Sequence, residues 1–173
     1  MKLLTHYVFS IGVITLLLSL FTSFYNVVVV AVVVSLIGNT VIDSLGHKEV
    51  VTRYGEIPVR TPLTHTFPRS VIWGLISSLP VLFIALLSGH YYYYHYYLNN
   101  YEFIQLVISV LVSGVLVGPT HMLLDVFTEK GIYVKKHGKW KRFALAHFRY
   151  NNPLANGLAI VIGFALLYLS YML

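Results

Sequence analysis

The chain has 173 residues, enough for one domain, and 57% of them are hydrophobic while only 10% are charged. A soluble domain carries about a quarter charged residues, so this composition excludes an ordinary water-soluble globule and predicts a protein that lipid surrounds. The chain has no cysteine. This excludes disulfides, iron–sulfur clusters and thiolate zinc sites, so any metal must be held by His, Asp or Glu.

Five apolar stretches are long enough to cross a bilayer as helices, which takes about 20 residues each. They run roughly over residues 3–21, 25–42, 70–88, 102–124 and 154–173. Because backbone groups in lipid must be hydrogen-bonded within their own segment, we predict helix even for the β-branched second stretch. The expected fold is therefore all-α, a single transmembrane helical domain over residues 1–173 with loops near residues 43–69 and 126–153.

The positive charges are segregated along this predicted topology. Of the 12 Lys and Arg residues, one precedes the first stretch, four lie in the 43–69 loop and seven lie in the 126–153 loop. All of them fall on one side, and the positive-inside rule predicts that this side is cytoplasmic. We therefore predict an integral protein of the cell membrane, with the N-terminus in the cytoplasm and the C-terminus outside.

Two further patterns belong to the apolar part of the chain. The outer loop contains residues 91–97, six tyrosines and one histidine, which predicts an aromatic belt at headgroup depth. Gly114 and Gly118 form a G-x-x-x-G pattern on the fourth stretch, which predicts close packing of a neighbouring helix. That neighbour could belong to the same chain or to a partner subunit.

Ionisable residues near membrane depth are costly, and here they converge on the cytoplasmic side. His6 starts the first stretch, Asp43 ends the second, His65 leads into the third, and His121 and Asp125 close the fourth. The predicted topology places all five residues at the cytoplasmic ends of four helices.

The pair His121 and Asp125 is spaced i,i+4, so both side chains lie on one face of a helix. An imidazole and a carboxylate suit zinc, manganese or iron, and Asp43 and His65 would complete four protein ligands. His6 would join them or hold a second ion with Asp125 bridging. The alternative is a hydrogen-bonded His–Asp pair without a metal.

The order of these motifs resembles a known family. Thr5-His6, Val41-Ile42-Asp43, Thr64-His65-Thr66 and the segment from Gly118 to Asp125, followed by Thr128 and Gly131, are similar to the membrane-bound metal-dependent hydrolases. These are also called LexA-binding, inner-membrane-associated putative hydrolases, and the resemblance is to an archaeal branch. The ligand pattern is also distantly similar to zinc-dependent phospholipase C and P1-type nuclease.

The resemblance implies a zinc-assisted phosphoester hydrolase that acts on a lipid or headgroup at the cytoplasmic face. Its implied metal ligands are His6, Asp43, His65, His121 and Asp125. The metal would lower the pKa of a water molecule and polarise the phosphoryl group. Asp43 and Arg60 are the expected catalytic residues, with Arg60 neutralising the developing charge. The chain departs from the family pattern at Val41, where an aspartate is usual, and before His65, where Arg60-Thr61-Pro62-Leu63 replaces a His-Arg-Gly motif.

The basic loops predict membrane lipids with anionic headgroups as partners, because each cation near such a surface contributes about 1 kcal/mol. Nucleic acid is not expected, since no DNA-binding module is recognisable. The alternative function is a non-catalytic helical subunit or scaffold of a larger membrane complex, in which partner membrane subunits would cover the apolar helices.

Overall fold

The computed structural model describes residues 1–53, 55–96 and 100–173, and in these ranges the chain forms five helices, as the hydropathy pattern predicts. The all-α membrane architecture is confirmed. The helices are α1 (Leu3–Ser19), α2 (Phe24–Leu45), α3 (Phe67–Tyr96), α4 (Asn100–Asp125) and α5 (Pro153–Met172).

Among the described residues, the four helices α2 to α5 are long and apolar enough to cross a membrane. The first helix, α1, is apolar but has 17 residues, about 25 Å of helix and the lower end of what a bilayer needs. Large apolar side chains such as Ile72, Phe83 and Phe164 are exposed, whereas His6, Asn39 and His121 are buried. Polar groups inside and apolar groups outside are typical of a helical protein in lipid.

Both predicted loops contain an antiparallel β-hairpin. Strand β1 (His47–Thr52) pairs with β2 (Gly55–Arg60), and β3 (Ile132–Lys136) pairs with β4 (Lys139–Phe143). The turn of the second hairpin, His137-Gly138, has φ of 52° and 76°, as a type I′ turn requires. The sequence predicted only loops here, because β4 is exposed along its length and shows no apolar alternation.

The hairpins and the N-terminus lie at one end of the bundle. The amide of Tyr133 in β3 donates to the carbonyl of His65, 2.8 Å away, and the amide of Leu145 donates to the carbonyl of Val126 at 2.7 Å. These bonds fix the second hairpin beside the start of α3 and the end of α4.

At the opposite end, α3 continues through Tyr96. The predicted outer loop was wrong in this respect, because Tyr91–Tyr96 form the last turns of a helix. Tyr97 lies outside the described residues, and the aromatic belt stays a prediction.

Small residues bring α3 and α4 together. A side chain at Gly118 would collide with the backbone of Ser70, and Gly114 lies against Gly74 and Ser78. The neighbour that the G-x-x-x-G pattern predicts is therefore α3 of the same chain. Helix α2 packs against α1, α3 and α4, while α5 lies on α1, so the ends of α1, α2 and α4 meet beside the segment that precedes α3.

Candidate metal centre

The structure brings the five predicted ligands together at the end of the bundle that carries the hairpins. His6 comes from α1, Asp43 from the last turn of α2, His65 from the segment before α3, and His121 and Asp125 from the last turns of α4. Ligand atoms of His6, His121 and Asp125 all lie within 4.8 Å of one another, and so do those of Asp43, His65 and His121.

Asp125 is the centre of this cluster, and its carboxylate faces three imidazoles. His65 Nε2 and His121 Nε2 lie 3.5 and 3.3 Å from Oδ2. His6 Nε2 lies 3.4 Å from Oδ1. His6 also stacks on His121, with ring centroids 3.8 Å apart and an interplanar angle of 8°. All four side chains are buried.

The hydrogen-bond network fixes the tautomer of His121. Asn39 donates its amide protons to the carbonyl of Ser35 at 2.8 Å and to Ser10 Oγ at 3.2 Å. Its oxygen, 2.9 Å from His121 Nδ1, must therefore accept from that nitrogen. His121 Nε2 then presents a lone pair towards Asp125. A second partner that orients a histidine in this way is usual at metal sites.

The tautomer of His65 is fixed in the same way. The hydroxyl of Thr64 donates to the carbonyl of Ile42 at 2.7 Å, so it accepts from His65 Nδ1, 2.9 Å away. Burial lowers the pKa of His65 to about 2, which keeps the imidazole neutral near pH 7. Gly46 leaves room for this pair, since a Cβ there would collide with Thr64 and with the His65 ring.

These assignments leave acceptor atoms facing one another. Among the described residues, Nε2 of His65 and His121 and Oδ2 of Asp125 are buried without a hydrogen-bond partner, and so are both ring nitrogens of His6. Two ligands about 2.1 Å from a tetrahedral zinc ion lie about 3.4 Å apart, close to the separations observed here. When no proton lies between the lone pairs of neutral imidazoles and a carboxylate, a cation can bind to all of these atoms. The residues present therefore fit a divalent metal.

Arg60 provides the charge partner of Asp125. Its Nη2 lies 2.7 Å from Asp125 Oδ1, and its Nη1 donates to Thr128 Oγ1 at 3.2 Å and to the carbonyl of Gly131 at 2.9 Å. The hydroxyl of Tyr133 donates to the carbonyl of Arg60 at 2.8 Å. Arg60 thus joins β2, the end of α4 and β3. Its predicted role towards a substrate stays a prediction.

Asp43 lies at the rim of the cluster, with its side chain 33% exposed and Oδ1 4.0 Å from His65 Nε2. His47 lies beside it, and its Nδ1 is 2.6 Å from the carbonyl of Asp43. The sequence patterns did not single out His47 or Asn39, and they gave Thr64 only as part of the Thr64-His65-Thr66 motif. Asn39 could have been found, because it lies four residues before Asp43 on α2 and so shares its helix face.

A cavity of about 510 Å³ opens over this rim, and it is lined by Met1, Asp43, His47, Arg60, Lys130 and Tyr150. The amino nitrogen of Met1 lies 3.1 Å from Asp125 Oδ1, and burial lowers its pKa. The cavity connects the rim of the cluster with the exterior, so a small polar molecule can reach Asp43 and Arg60.

Arg69 and the basic residues of the second hairpin lie away from the cluster. Arg69 donates to the carbonyl of Pro62 at 2.9 Å and lies 4.9 Å from the ring centroid of Trp140. Five basic residues of the second hairpin are exposed. They are Lys135, Lys136, Lys139, Lys141 and Arg142. These residues form a polycationic patch, and its binding to anionic headgroups stays a prediction.

Comparison with known proteins gives one match. A family model described as protein of unknown function (DUF1286) matches residues 1–124, which is more than half of the chain and includes four of the five predicted ligands. No curated protein and no solved structure matches the chain.

Proposed function

We propose that this chain, which belongs to the DUF1286 family of proteins of unknown function, is a membrane-embedded, metal-dependent hydrolase that cleaves a phosphoester. The observation that carries the proposal is the set of buried potential ligand atoms without hydrogen-bond partners among the described residues: Nε2 of three histidines and Oδ2 of Asp125. Unsatisfied polar atoms at such depth are costly, and a shared divalent cation would satisfy all of them.

The resemblance of the motifs to the membrane-bound metal-dependent hydrolases supports the same function. We propose zinc as the metal, because neutral imidazoles with a carboxylate and no thiolate form a typical catalytic zinc site. His65, His121 and Asp125 would be its inner ligands. Asp43 would complete the set, and His6 would join them or hold a second ion through Asp125.

A metal held there supplies Lewis-acid polarisation of a phosphoryl oxygen and makes water more acidic. Asp43 is the one carboxylate of the five ligands that lines the cavity, so we expect it to orient the attacking water and accept its proton. Arg60 reaches the same cavity and keeps Asp125 ionised and oriented. Its positive charge would also offset the charge that develops on the phosphoryl group.

We further propose that the site opens to the cytoplasm at the cell membrane. All the described Lys and Arg residues lie at the end of the bundle that carries the site, and the positive-inside rule assigns that end to the cytoplasm. The polycationic patch of the second hairpin would hold anionic headgroups close to the cavity.

The rival function, a non-catalytic subunit, has less support. One surface that a partner helix could have used, at Gly114 and Gly118, is covered by α3 of the same chain. The exposed apolar side chains of α5 remain available to a partner, but lipid is sufficient to cover them.

Metal analysis of the purified protein tests the proposal. The wild-type chain should bind at least one zinc ion per molecule, and His65→Asn should lose it, because Asn39 and Thr64 orient the imidazoles but cannot replace a ligand. The control is His137→Asn, the same substitution at a turn residue outside the cluster with φ of 52°, where asparagine is tolerated. Equal metal content in all three proteins would refute the site.

Activity is tested separately on phosphomonoesters and phosphodiesters. Asp125→Ala should abolish hydrolysis while the helical circular dichroism spectrum is retained, since the bundle is held by helix packing. A metal-loaded wild-type protein without activity on any phosphoester, together with a stoichiometric partner that co-purifies in mild detergent, would support the subunit function instead.

A further inference from the structure

We infer that the substrate is a phosphoester lipid and that one of its acyl chains lies in an apolar groove between α1, α4 and α5. The inference deepens the proposed function and rests on it for the hydrolytic step. The groove has a volume of about 430 Å³, within the usual range for ligand sites. Among its lining residues are Phe9, Leu124, Phe127, Phe148, Ala155 and Leu158.

The groove lies next to the candidate metal centre. Met1 lines both the groove and the polar cavity, and its amino nitrogen contacts Asp125. Leu124 in the groove is the residue before Asp125. Phe127 precedes Thr128, whose hydroxyl accepts from Arg60. A molecule with a tail in the groove therefore has its head beside the cluster.

Residues on the other wall of the groove are also close in sequence to residues of the site. Phe9 lies one helical turn from His6 on α1, so the groove passes along the face that ends at this ligand. Phe148 lines the groove and Tyr150, two residues on, lines the cavity. The amide of Phe148 donates to the carbonyl of Phe127 at 3.0 Å, which holds the two segments together at the rim.

The chemistry of the groove selects an acyl chain over a peptide. Every residue known to line it is apolar, so a peptide would find no side-chain partners there for its backbone groups, which are costly to bury unpaired. An acyl chain has no such groups. Leu123 and Leu158 at the edges are exposed, so a chain can enter sideways from the bilayer. The cationic side chains of Arg60 and Lys130 in the cavity complement a phosphate headgroup.

Photolabelling in vesicles tests the groove without relying on catalysis. The probe is phosphatidic acid with a diazirine at the end of one acyl chain, in vesicles of phosphatidylcholine that contain the purified full-length chain. Labelled peptides should be enriched at groove residues over the lipid-facing residues Phe83 and Phe164. The variant Ala155→Phe fills the groove and should reduce that labelling to the level of the general surface.

Two variants control this experiment. Ala165→Phe makes the same change on α5 at an exposed position outside the groove, and it should label like wild type. Asp125→Asn should also retain groove labelling, because the groove contains none of the ligands. If Ala155→Phe does not fold, Leu158→Trp blocks the groove from an exposed position. The inference would be overturned if all apolar faces were labelled to the same extent. It would also be overturned if Ala155→Phe and Ala165→Phe were labelled equally in the groove.

Hydrolysis of soluble short-chain phosphatidic acids provides the second measurement. In the wild type, kcat/KM should rise with chain length by up to about fourfold per methylene that enters the groove. Ala155→Phe should lose this rise, whereas Ala165→Phe, outside the groove, should keep it and hydrolyse p-nitrophenyl phosphate, which has no chain, as fast as wild type. Absence of all hydrolysis would contradict the proposed function alone, because the labelling result decides the groove independently. Activity that does not depend on chain length would contradict the groove.

Discussion

At the scale of single residues, the candidate centre depends on the side chains that hold its ligands as well as on the ligands themselves. Asn39 and Thr64 direct the protons of His121 and His65 away from Asp125, so that the lone pairs point into the cluster. Arg60 neutralises Asp125 from the other side. The ligand atoms are therefore oriented by partners from three different segments, which is how metal sites gain affinity beyond their direct ligands.

We expect Asn39→Leu to weaken zinc binding by about 10–100-fold, the usual effect of losing a hydrogen bond behind a metal ligand. Leucine has a similar size but cannot accept from His121 Nδ1. Competition with a chromogenic chelator measures the dissociation constant. Asn39→Asp keeps an acceptor and should stay much closer to wild type. If leucine and aspartate have the same effect, the orienting role is incorrect.

Removing Arg60 should be costly, because it takes away the side-chain cation paired with the buried Asp125 and leaves only the amino group of Met1 beside that carboxylate. We expect Arg60→Met to lower the free energy of unfolding by about 3–5 kcal/mol, as for other broken buried ion pairs. Zinc should recover part of this loss, since a bound cation pairs with the same carboxylate. Chemical unfolding in mild detergent, with and without zinc, measures both effects. The exposed Arg53 provides the control Arg53→Met, which should change stability by less than about 0.5 kcal/mol.

At the scale of the elements, close approach of α3 and α4 places the start of α3, and with it His65, against the end of α4. The approach depends on glycines, because at Gly118 there is no space for a Cβ next to the backbone of Ser70. The hairpins have a different role. They cover the cluster from outside, with Arg60 at the end of β2 and Tyr133 in β3 joined by a hydrogen bond.

Gly118→Ala should therefore destabilise the bundle by about 1–3 kcal/mol through overpacking, even though alanine favours helix. Gly157→Ala on α5 is the matched control, since a Cβ there meets no atom within 4 Å. That change should be neutral or stabilising by up to about 1 kcal/mol. Unfolding midpoints in the same detergent compare the two. Equal shifts would mean that the α3–α4 contact has no special importance.

At the scale of the whole molecule, the bundle separates a polar end from an apolar body. The N-terminus, both hairpins and all five candidate ligands are at one end. The large exposed side chains along α3 and α5 are apolar. A substrate with a charged head and an apolar tail would match this division.

Single cysteines test the orientation of the bundle, and the natural chain contains none. We expect Ser44→Cys and Lys136→Cys to react with an impermeant reagent only from the cytoplasmic side, because both lie at the end with the hairpins. Asn99→Cys, in the connection between α3 and α4, should react only from the outside. Labelling of positions 99 and 136 from the same side would contradict the five-helix topology.

The sequence by itself determined the five helices, the membrane environment and the candidate ligands. Helix in lipid is decided locally by length and hydropathy, and a charged or imidazole group near membrane depth stands out because burial is costly. Five such groups at the same predicted depth were enough to predict one site.

Only the tertiary structure decided how these groups are satisfied. The acceptor that orients His121 is on another helix, and the partner of Asp125 is at the end of a β-strand that the sequence did not predict. The helix that covers Gly118 and the position of the apolar groove beside the polar cavity also depend on which elements pack together. Hydrogen bonds and contacts between distant segments are set by three-dimensional packing, whereas helix formation in lipid is set by neighbours along the chain.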